Sequence, residues 1–347
     1  MHKRGLCHIP SIFRAMEEGK VRAMWCIADN LIVAEMDNQR VWDILKNKLD
    51  FLFVSDLFMT PTAELADIVL PAAFYPECDQ LVEAFGHPSS TVTAFRKAVE
   101  PQGECKDDRE VAIEIGKRMG MDVSPWDTLE DYLNWMLKYQ GMTFEDLLQK
   151  PNATLTFPRK YERYRHSTPP FATPTGKVEL FSTIFEAMGV DPIPVFQEPP
   201  ESPRRTPELF KKFPFIYTHY RIHGYMHSEG RQIRRQRQLA PEPLLQMNPE
   251  RAGALGIHEG DWVYLETPKS AGKTKLKYRV QLIPEMHPDV VAGPHGWWFP
   301  EKPQPEHGCF ESNINALVTL DPPFDPVVGV PQVRAILCRV WKADLEG

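Results

Sequence analysis

The sequence lacks the motifs that mark several common enzyme classes. None of G-x-G-x-x-G, the P-loop, G-x-S-x-G or H-E-x-x-H occurs in its 347 residues. Dinucleotide hydride transfer, phosphoryl transfer, serine hydrolysis and zinc-peptidase chemistry therefore have no local signature. The six cysteines form no C-x-x-C pair, which argues against a zinc ribbon, an iron–sulfur cluster or a dense disulfide framework. We predict reduced, mostly buried thiols, and the sequence alone displays no complete active site.

Long apolar runs and a surplus of positive charge are also missing. The most apolar run, from Met24 to Glu35, is interrupted by Asp29 and Asn30, whereas a membrane-spanning helix needs about 18 apolar residues. The net charge is −7, so nucleic-acid binding lacks global electrostatic support, and an anionic ligand would need a local basic patch. The first residues contain no apolar signal core. We expect a cytoplasmic chain with no membrane insertion and no nucleic-acid partner.

The first part of the chain alternates helical segments with apolar strands. Short apolar runs at 21–27, 51–54 and 68–70 follow helical segments, and the first two end in polar residues, which predicts a parallel α/β sheet. Ligands of such sheets bind beyond the carboxyl ends of the strands. Asn30, Ser55 and Asp56 occupy these ends and are candidate ligand contacts, although such residues also serve as helix caps and turn formers.

A proline-rich stretch separates this part from a β-rich part. Residues 122–214 are less regular, with a helical stretch near 129–139 and then many prolines. We predict a long excursion plus linker there, because proline-rich segments hold neither helix nor central strand. We place a domain boundary near residue 205, which gives domains 1–205 and 206–347. Short strands with few helices follow, the pattern of a closed barrel. These strands are predicted at 215–218, 262–267, 274–282, 290–292 and 335–340.

Two loops of the second part have unusual composition. Residues 218–231 follow a predicted strand and contain three histidines and two arginines. Arginine presents a planar fork suited to phosphate, while histidine and serine supply donors for pterin-type or carbonyl groups. The alternative for Arg234 to Arg237 is a solvated basic loop. The aromatic loop 293–301 leads to Asn313 and Asn315, whose amides can read a purine edge or serve as caps and turns.

Taken in order, these segments resemble the molybdopterin oxidoreductases of the dimethyl sulfoxide reductase family. The segments that carry the resemblance are 29–30, 55–71, 174–179, 248–261, 295–298 and 313–317. The resemblance covers the carboxyl-terminal part of that family's catalytic subunit. It implies a partial parallel α/β sheet followed by a double-psi-type β-barrel that binds molybdopterin guanine dinucleotide. The stretch from His295 to Glu301 is most similar to the acetylene hydratase and thiosulfate reductase-like branches.

The resemblance implies cofactor-binding roles for eleven residues. Asn30 matches the Asn of the family's Asn-Pro loop, with Leu31 in place of the Pro. Ser55 and Asp56 match a pair that contacts guanosine, and Asp108, with Asp107 as the alternative, matches the Asp of the loop before the next helix. The other seven comprise a pterin-facing segment and two barrel positions for the second nucleotide. These are Thr218, Arg221, His223, His227 and Ser228 for the pterin, and Asn315 and Arg334 for the nucleotide. Cys78 stands where some relatives carry a cofactor-binding Lys.

Two family features are missing from the sequence. It contains neither the amino-terminal cysteine cluster for iron–sulfur nor the loop whose Cys, selenocysteine, Ser or Asp ligates the metal. The resemblance therefore implies part of a molybdenum or tungsten bis-molybdopterin guanine dinucleotide oxidoreductase that is inactive alone, with its catalytic residue unknown. The alternative is a non-catalytic scaffold subunit of a respiratory or redox complex that keeps the fold without the metal.

The predicted sheet suggests a missing partner. Parallel sheets are normally buried on both faces, and a bare one would expose more apolar surface than soluble monomers usually show. We expect the missing amino-terminal portion of the enzyme to supply the rest of the sheet, the metal ligand and any 4Fe-4S cluster. An electron-transfer iron–sulfur subunit is a second expected partner.

Overall fold

The computed structural model describes residues 8–84, 89–158, 171, 173–193, 195–325, 327 and 329–343. Residues 1–7, which include Cys7, lie outside these ranges. The α-helices within them are α1 Ile9–Glu17, α2 Leu31–Ala34, α3 Asn38–Asn47, α4 Asp108–Arg118, α5 Leu129–Met136, α6 Phe144–Leu148, α7 Thr183–Ala187, α8 Pro207–Lys212, α9 Arg234–Leu239 and α10 Pro249–Gly253. The strands are β1 Ala23–Ile27, β2 Phe51–Asp56, β3 Ile68–Pro71, β4 Gln80–Ala84, β5 Ser89–Phe95, β6 Thr154–Pro158, β7 Phe215–Tyr220, β8 Leu244–Met247, β9 Trp262–Glu266, β10 Leu276–Leu282, β11 Val290–Pro294 and β12 Ile336–Lys342.

The predicted parallel α/β sheet is confirmed, with strand order β1-β2-β3. The central strand β2 is buried, since Leu52 and Val54 are at most 1% exposed. Ile27 of β1, Phe51 at the start of β2 and Ile68 of β3 nevertheless stay 41–48% exposed. The apolar run at 68–70 forms the edge strand β3, whose two end residues are exposed.

A second sheet, which the sequence did not predict, has two strands before the segment 122–214 and one strand within it. β4, β5 and β6 form an antiparallel sheet in that order, and α5 and α6 pack on it through Leu133, Phe144 and Leu147, which are at most 1% exposed. The helical stretch predicted near 129–139 is confirmed as α5, whereas α6 and β6 interrupt the predicted excursion over 122–214. β6 pairs with β5 over a long separation, as the 3.0 Å hydrogen bond between the hydroxyls of Thr93 and Thr154 illustrates, so local sequence carries little of the signal for β6.

The predicted closed barrel is confirmed and has six strands in the order β10-β8-β11-β7-β12-β9. β7 pairs with β11 in parallel, as β8 does with β10, and the other pairings are antiparallel. Closure leaves no free sheet edge. The core is filled from inward-facing positions, among which Tyr217, Leu265 and Tyr278 are 0% exposed. Strand β8 escaped prediction because its four residues lie directly between a proline and a helix cap.

The strand directions gather distant segments at one end of the barrel. β7 and β11 are parallel, with Pro294 opposite Tyr220, so both strands end at the same side. β12 runs antiparallel to β7, with Ile336 opposite Tyr217, and therefore begins at that side. We call the segments that leave β7 and β11 and enter β12 at this side the barrel rim. Residues more than 100 positions apart in sequence thus become neighbours there.

The chain divides into two compact units. The first comprises Met1–Val54, Phe58–Ile68 and Leu180–Gly347, and the second comprises Ser55–Leu57 and Val69–Glu179. The predicted boundary near residue 205 falls inside the first unit. In that unit the amides of Asn313 and Asn315 bond to carbonyl oxygens of α2, which ties the helical start of the chain to the barrel half.

Truncation of a barrel core residue should destabilise the chain strongly. Leu265 on β9 is 0% exposed, whereas Leu255, on the turn after α10, is 41% exposed. We expect L265A to lower the free energy of unfolding by about 2–5 kcal/mol, because it removes buried contacts and leaves a cavity. The matched control L255A should change it by roughly 0.5 kcal/mol or less. Urea denaturation measures both, and equal losses would contradict the assignment of the core.

Candidate functional site

Basic side chains from three chain segments lie at the barrel rim. Arg221 follows β7, His295 follows β11, and Arg334 precedes β12. Arg221 and Arg334 are exposed and His295 is half-buried. The barrel thus builds the local basic patch that an anionic ligand requires in a chain whose net charge is −7.

Three histidine rings contact one another within this patch. The Nδ1 atom of His227 lies 3.0 Å from the Nε2 atom of His295. The ring centroid of His295 lies 5.1 Å from that of His227 and 5.1 Å from that of His219. His295 is therefore the central ring, and we call the three residues the histidine cluster.

Burial and neighbouring positive charge favour the neutral forms of His295 and His219. Burial is the largest cause that lowers the pKa of His295, which falls to about 4. The positive charges that add to this shift belong to His219, His227, Arg221 and Arg231. The pKa of His219 is lowered by burial and then by Arg334 and Arg221. Every charged group that shifts these two pKa values is basic, so His295 is neutral near pH 7 in the protein alone.

Arg231 is a buried cation with no ion-pair partner among the described residues. Its side chain is 1% exposed, with the guanidinium carbon 4.2 Å from the Trp297 ring centroid and 4.5 Å from that of Tyr225. Its Nε donates to the carbonyl oxygen of Gly296 at 3.0 Å and its Nη2 to that of His295 at 3.2 Å. Burial lowers its pKa to about 9. Arg231 therefore fixes the backbone that carries His295.

The aromatic loop after β11 packs tightly against the loop that carries His227. Trp298 is fully buried, and its Nε1 donates to the carbonyl oxygen of Ser228 at 2.8 Å. Gly296 has a φ of +61°, and a Cβ there would lie 3.1 Å from the carbonyl carbon of His227 and the nitrogen of Ser228. Only glycine suits that position. The aromatic composition that stood out in the sequence thus serves to hold the histidine cluster in place.

A cleft of about 410 Å³ opens beside the rim. Arg221 and His223 line it together with Gln246 of β8, and both basic residues are exposed. Thr218 is half-buried in β7 and Ser228 is buried. The pterin-facing residues predicted from the resemblance therefore all lie on β7 or in the loop that follows it. Sequence reasoning assigned no role to His219, His295 or Arg231, although each stood in a loop that it singled out.

Asn30 lies at the amino end of α2 in a buried polar network. The hydroxyl of Thr62 donates to its Oδ1 at 3.0 Å and accepts from the backbone nitrogen of Ile32 at 3.1 Å. The Nδ2 of Asn30 is buried and has no hydrogen-bond partner among the described residues. A buried donor without a partner costs about 1–3 kcal/mol, so this atom is suited to receive an acceptor from a ligand.

Asn315 has a structural role that the sequence did not reveal. Its Nδ2 donates to the carbonyl oxygens of Val33 at 3.0 Å and Ala34 at 2.9 Å, and the Nδ2 of Asn313 donates to Val33 at 2.8 Å. These bonds satisfy the carbonyl groups at the end of α2. The predicted contact of Asn315 with a nucleotide stays a prediction. The observed bonds connect Asn315 to the end of α2, the helix that Asn30 precedes.

The second compact unit carries the remaining predicted residues. Ser55 is buried at the end of β2, and its hydroxyl donates to the Oδ1 of Asp108, the first residue of α4. Burial raises the pKa of Asp108. Asp107 caps α4 and pairs with Arg109, so the neighbouring carboxylates have separate partners. Asp56 is half-buried and accepts from the nitrogen of Leu57 at 2.7 Å.

A cleft of about 320 Å³ borders this carboxylate pair. Asp107, Asp108, Arg109 and Gln80 line it, together with the buried thiol of Cys78, whose pKa burial raises to about 12. The predicted reduced thiols agree with the structure, in which the five described cysteines form no disulfide and four of them are buried.

Within the described ranges, no cluster of three or more His, Cys, Asp or Glu side chains is arranged to hold a metal ion. No helix in the same ranges has the length and apolar character needed to cross a membrane.

The depressed pKa of His295 predicts a pH dependence of stability. His295 binds a proton less readily in the folded chain than in the unfolded chain, where the histidine has its ordinary pKa of 6.5. The effect is absent above that value, and the free energy of unfolding should fall as the pH drops from about 6.5 towards 4. We expect H295Q to lose less stability over this interval than the unsubstituted chain, as measured by urea denaturation at a series of pH values.

The matched control is H258Q, which removes an exposed histidine from the turn before β9. It should keep the pH dependence of the unsubstituted chain. If H295Q showed that same dependence, the inferred state of His295 would be wrong.

Comparison with known proteins matches both halves of the chain to family models. Residues 8–118 match the model described as "Molybdopterin oxidoreductase", and residues 215–337 match that described as "Molydopterin dinucleotide binding domain". The latter covers most of the barrel and its rim. The former covers the first sheet, α4 and the residues Asn30, Ser55, Asp56 and Asp108.

Individual relatives agree with this assignment. The chain is 32% identical to acetylene hydratase of Syntrophotalea acetylenica over 96% of its length and 46% of that protein. It is 27% identical to dopamine dehydroxylase of Eggerthella lenta over 98% of its length and 40% of that protein. It therefore spans less than half of these relatives.

The solved structure of acetylene hydratase from Pelobacter acetylenicus superposes with a TM-score of 0.85 at 29% identity. The match covers 96% of this chain and 46% of that one. Fold, barrel and sequence thus agree, and the chain belongs to the molybdopterin oxidoreductase family.

Proposed function

We propose that this chain binds the nucleotide and pterin portions of a bis-molybdopterin guanine dinucleotide cofactor in a molybdenum or tungsten oxidoreductase. The observation that carries the proposal is the basic barrel rim, where Arg221, Arg334 and the histidine cluster meet in a chain of net negative charge. Such a patch suits the diphosphate of a dinucleotide.

The two exposed arginines of the rim are the candidates for the diphosphate. Each guanidinium offers a planar set of donors that matches phosphate oxygens in two-point contacts, which are stronger than neutral hydrogen bonds. Arg221 also lines the 410 Å³ cleft with His223. In this proposal the cleft takes the pterin side of one dinucleotide, and Thr218, His227 and Ser228 flank it.

The second unit offers the chemistry to recognise guanine. A carboxylate accepts from both N–H groups on the guanine edge, whereas adenine presents an acceptor at the corresponding ring nitrogen. Asp108 borders a cleft of about 320 Å³ and is oriented by the hydroxyl of Ser55. We assign this cleft to the guanosine of the other dinucleotide, together with Asp56, which follows Ser55 in the sequence.

The donor set fits the cofactor in one further respect. Asn30 Nδ2 and Arg231 Nη1 are buried donors without partners among the described residues, and a ligand rich in acceptors would reduce the cost of at least the first. When bound, the cofactor would supply a metal held by pterin dithiolenes for electron transfer or substrate activation. The residues of this chain bind and orient it.

We also propose that the metal ligand and any 4Fe-4S cluster come from further polypeptide, with an iron–sulfur subunit as electron-transfer partner. The relatives are about twice as long as the matched region. Apolar side chains at Ile27, Phe51 and Ile68 are 41–48% exposed, which suits coverage by additional protein.

The guanine assignment predicts a base preference that depends on Asp108. We expect the chain to bind guanosine diphosphate more tightly than adenosine diphosphate, and D108N to lose affinity for the guanine nucleotide on the order of tenfold, because one edge contact pair is disrupted. Isothermal titration calorimetry measures both affinities.

The matched control is E114Q, which neutralises an exposed carboxylate on the same helix and should leave both affinities unchanged. Equal affinity of the unsubstituted chain for the two nucleotides would refute the role of Asp108.

A further inference from the structure

The histidine cluster contains two residues that the proposed cofactor contacts leave without a role. His219 lies on β7 and His295 follows β11. Both belong to one contact network with His227. The Nδ1 of His227 lies 3.0 Å from the Nε2 of His295, and the ring centroids of His219 and His295 lie 5.1 Å apart. The rings come from three separate chain segments, so the barrel and its loops bring them together.

The charged groups that shift the pKa values of His295 and His219 are all basic. β7 and the segment after it contribute His219 and Arg221, and the following loop contributes His227 and Arg231. The segment before β12 contributes Arg334. Among the described residues, no carboxylate contributes to the pKa shifts of His295 and His219.

This arrangement has an electrostatic consequence. Protonating His295 or His219 adds a positive charge next to several others, which is unfavourable in the protein alone. An anion placed among the same groups reverses the sign of the local potential and favours the protonated ring. Anion binding and proton uptake must then reinforce each other, since linkage is reciprocal.

We propose that His219, His227 and His295 form a proton-linked oxyanion subsite at the barrel rim, which takes up a diphosphate group together with a proton from solvent. The inference rests on the proposed cofactor function and adds two residues and a pH dependence to it. A diphosphate suits the site better than a single carboxylate, because its many acceptor oxygens can reach donors on three segments at once.

The proton balance is simple. In the contact between His227 and His295 one nitrogen donates and the other accepts, so a neutral pair retains one further nitrogen able to take a proton. Diphosphate binding adds that proton to an imidazole, and release of the diphosphate returns it to solvent. No bond other than N–H forms or breaks.

Arg231 positions this subsite. It donates to the carbonyl oxygens of His295 and Gly296 while its own charge stays buried. The central ring is thereby held beside its neighbours before any ligand arrives, which reduces the ordering cost on binding.

The test is calorimetric titration of the full chain with inorganic pyrophosphate in two buffers of different ionisation enthalpy at about pH 6. Pyrophosphate itself titrates near this pH, so its own proton exchange is subtracted. We then expect uptake approaching one proton per pyrophosphate bound. The affinity should rise by up to about tenfold for each unit that the pH falls below 7. H295Q should still bind through Arg221 and Arg334 but take up markedly less proton.

The control H258Q removes an exposed histidine distant in sequence from the rim and should match the unsubstituted chain. Guanosine diphosphate is the second arm. Equal proton uptake with both ligands identifies the diphosphate as the linked group, whereas uptake with the nucleotide alone would overturn the proposal.

The proposal also fails if pyrophosphate does not bind, or if it binds to the unsubstituted chain without proton uptake. Should H295Q fold poorly, nuclear magnetic resonance titration of the histidines in the unsubstituted chain, with and without pyrophosphate, decides instead. An unchanged histidine titration would overturn the proposal. The base preference that depends on Asp108 is measured separately, so failure here leaves the proposed cofactor function standing.

Discussion

Closure of the barrel through two parallel strand pairs is the constraint on which the site depends. Because β7 and β11 run in the same direction and β12 runs against them, the segments around Arg221, His295 and Arg334 emerge at one rim. No local sequence preference would gather them, since they are widely separated along the chain. The backbone pairing therefore brings the basic side chains together, and these side chains give the site its positive potential.

Like charges at the rim repel one another, and ring contacts with the aromatic loop offset part of this unfavourable free energy. Arg231 gives up hydration and gains ring contacts with Trp297 and Tyr225 and two bonds to carbonyl oxygens. Burial disfavours its charged form. Such an arrangement is more stable with an anion nearby, which connects the packing of an apolar loop to the binding of a charged ligand. The same logic applies to His295, whose pKa is lowered first by burial and then by its basic neighbours.

The sequence predicted the elements whose signal is local. The apolar runs of β2, β7 and β12 were recognisable from the sequence, and alternation of strands and helices indicated the parallel sheet. It missed β4 to β6. The β5–β6 pairing joins residues more than 60 positions apart, whereas β4 and β5 are neighbours in the chain and were not predicted either. The site divides in the same way. Arg221 and His223 stood out by composition, whereas the contact between His227 and His295 and the bonds from Asn315 to α2 depend on tertiary structure.

The central claim is that the chain holds a molybdopterin dinucleotide in the assembled enzyme. The most direct measurement is mass spectrometry of the protein purified from its native source with its partner polypeptide. It should quantify the pterin, guanine nucleotide, molybdenum and tungsten that remain bound to the complex. The account predicts two guanine dinucleotides and one molybdenum or tungsten atom per complex, as the bis form of the cofactor requires. A complex that contains this chain but carries no pterin and no metal would contradict it and would favour a scaffold that has kept the fold alone.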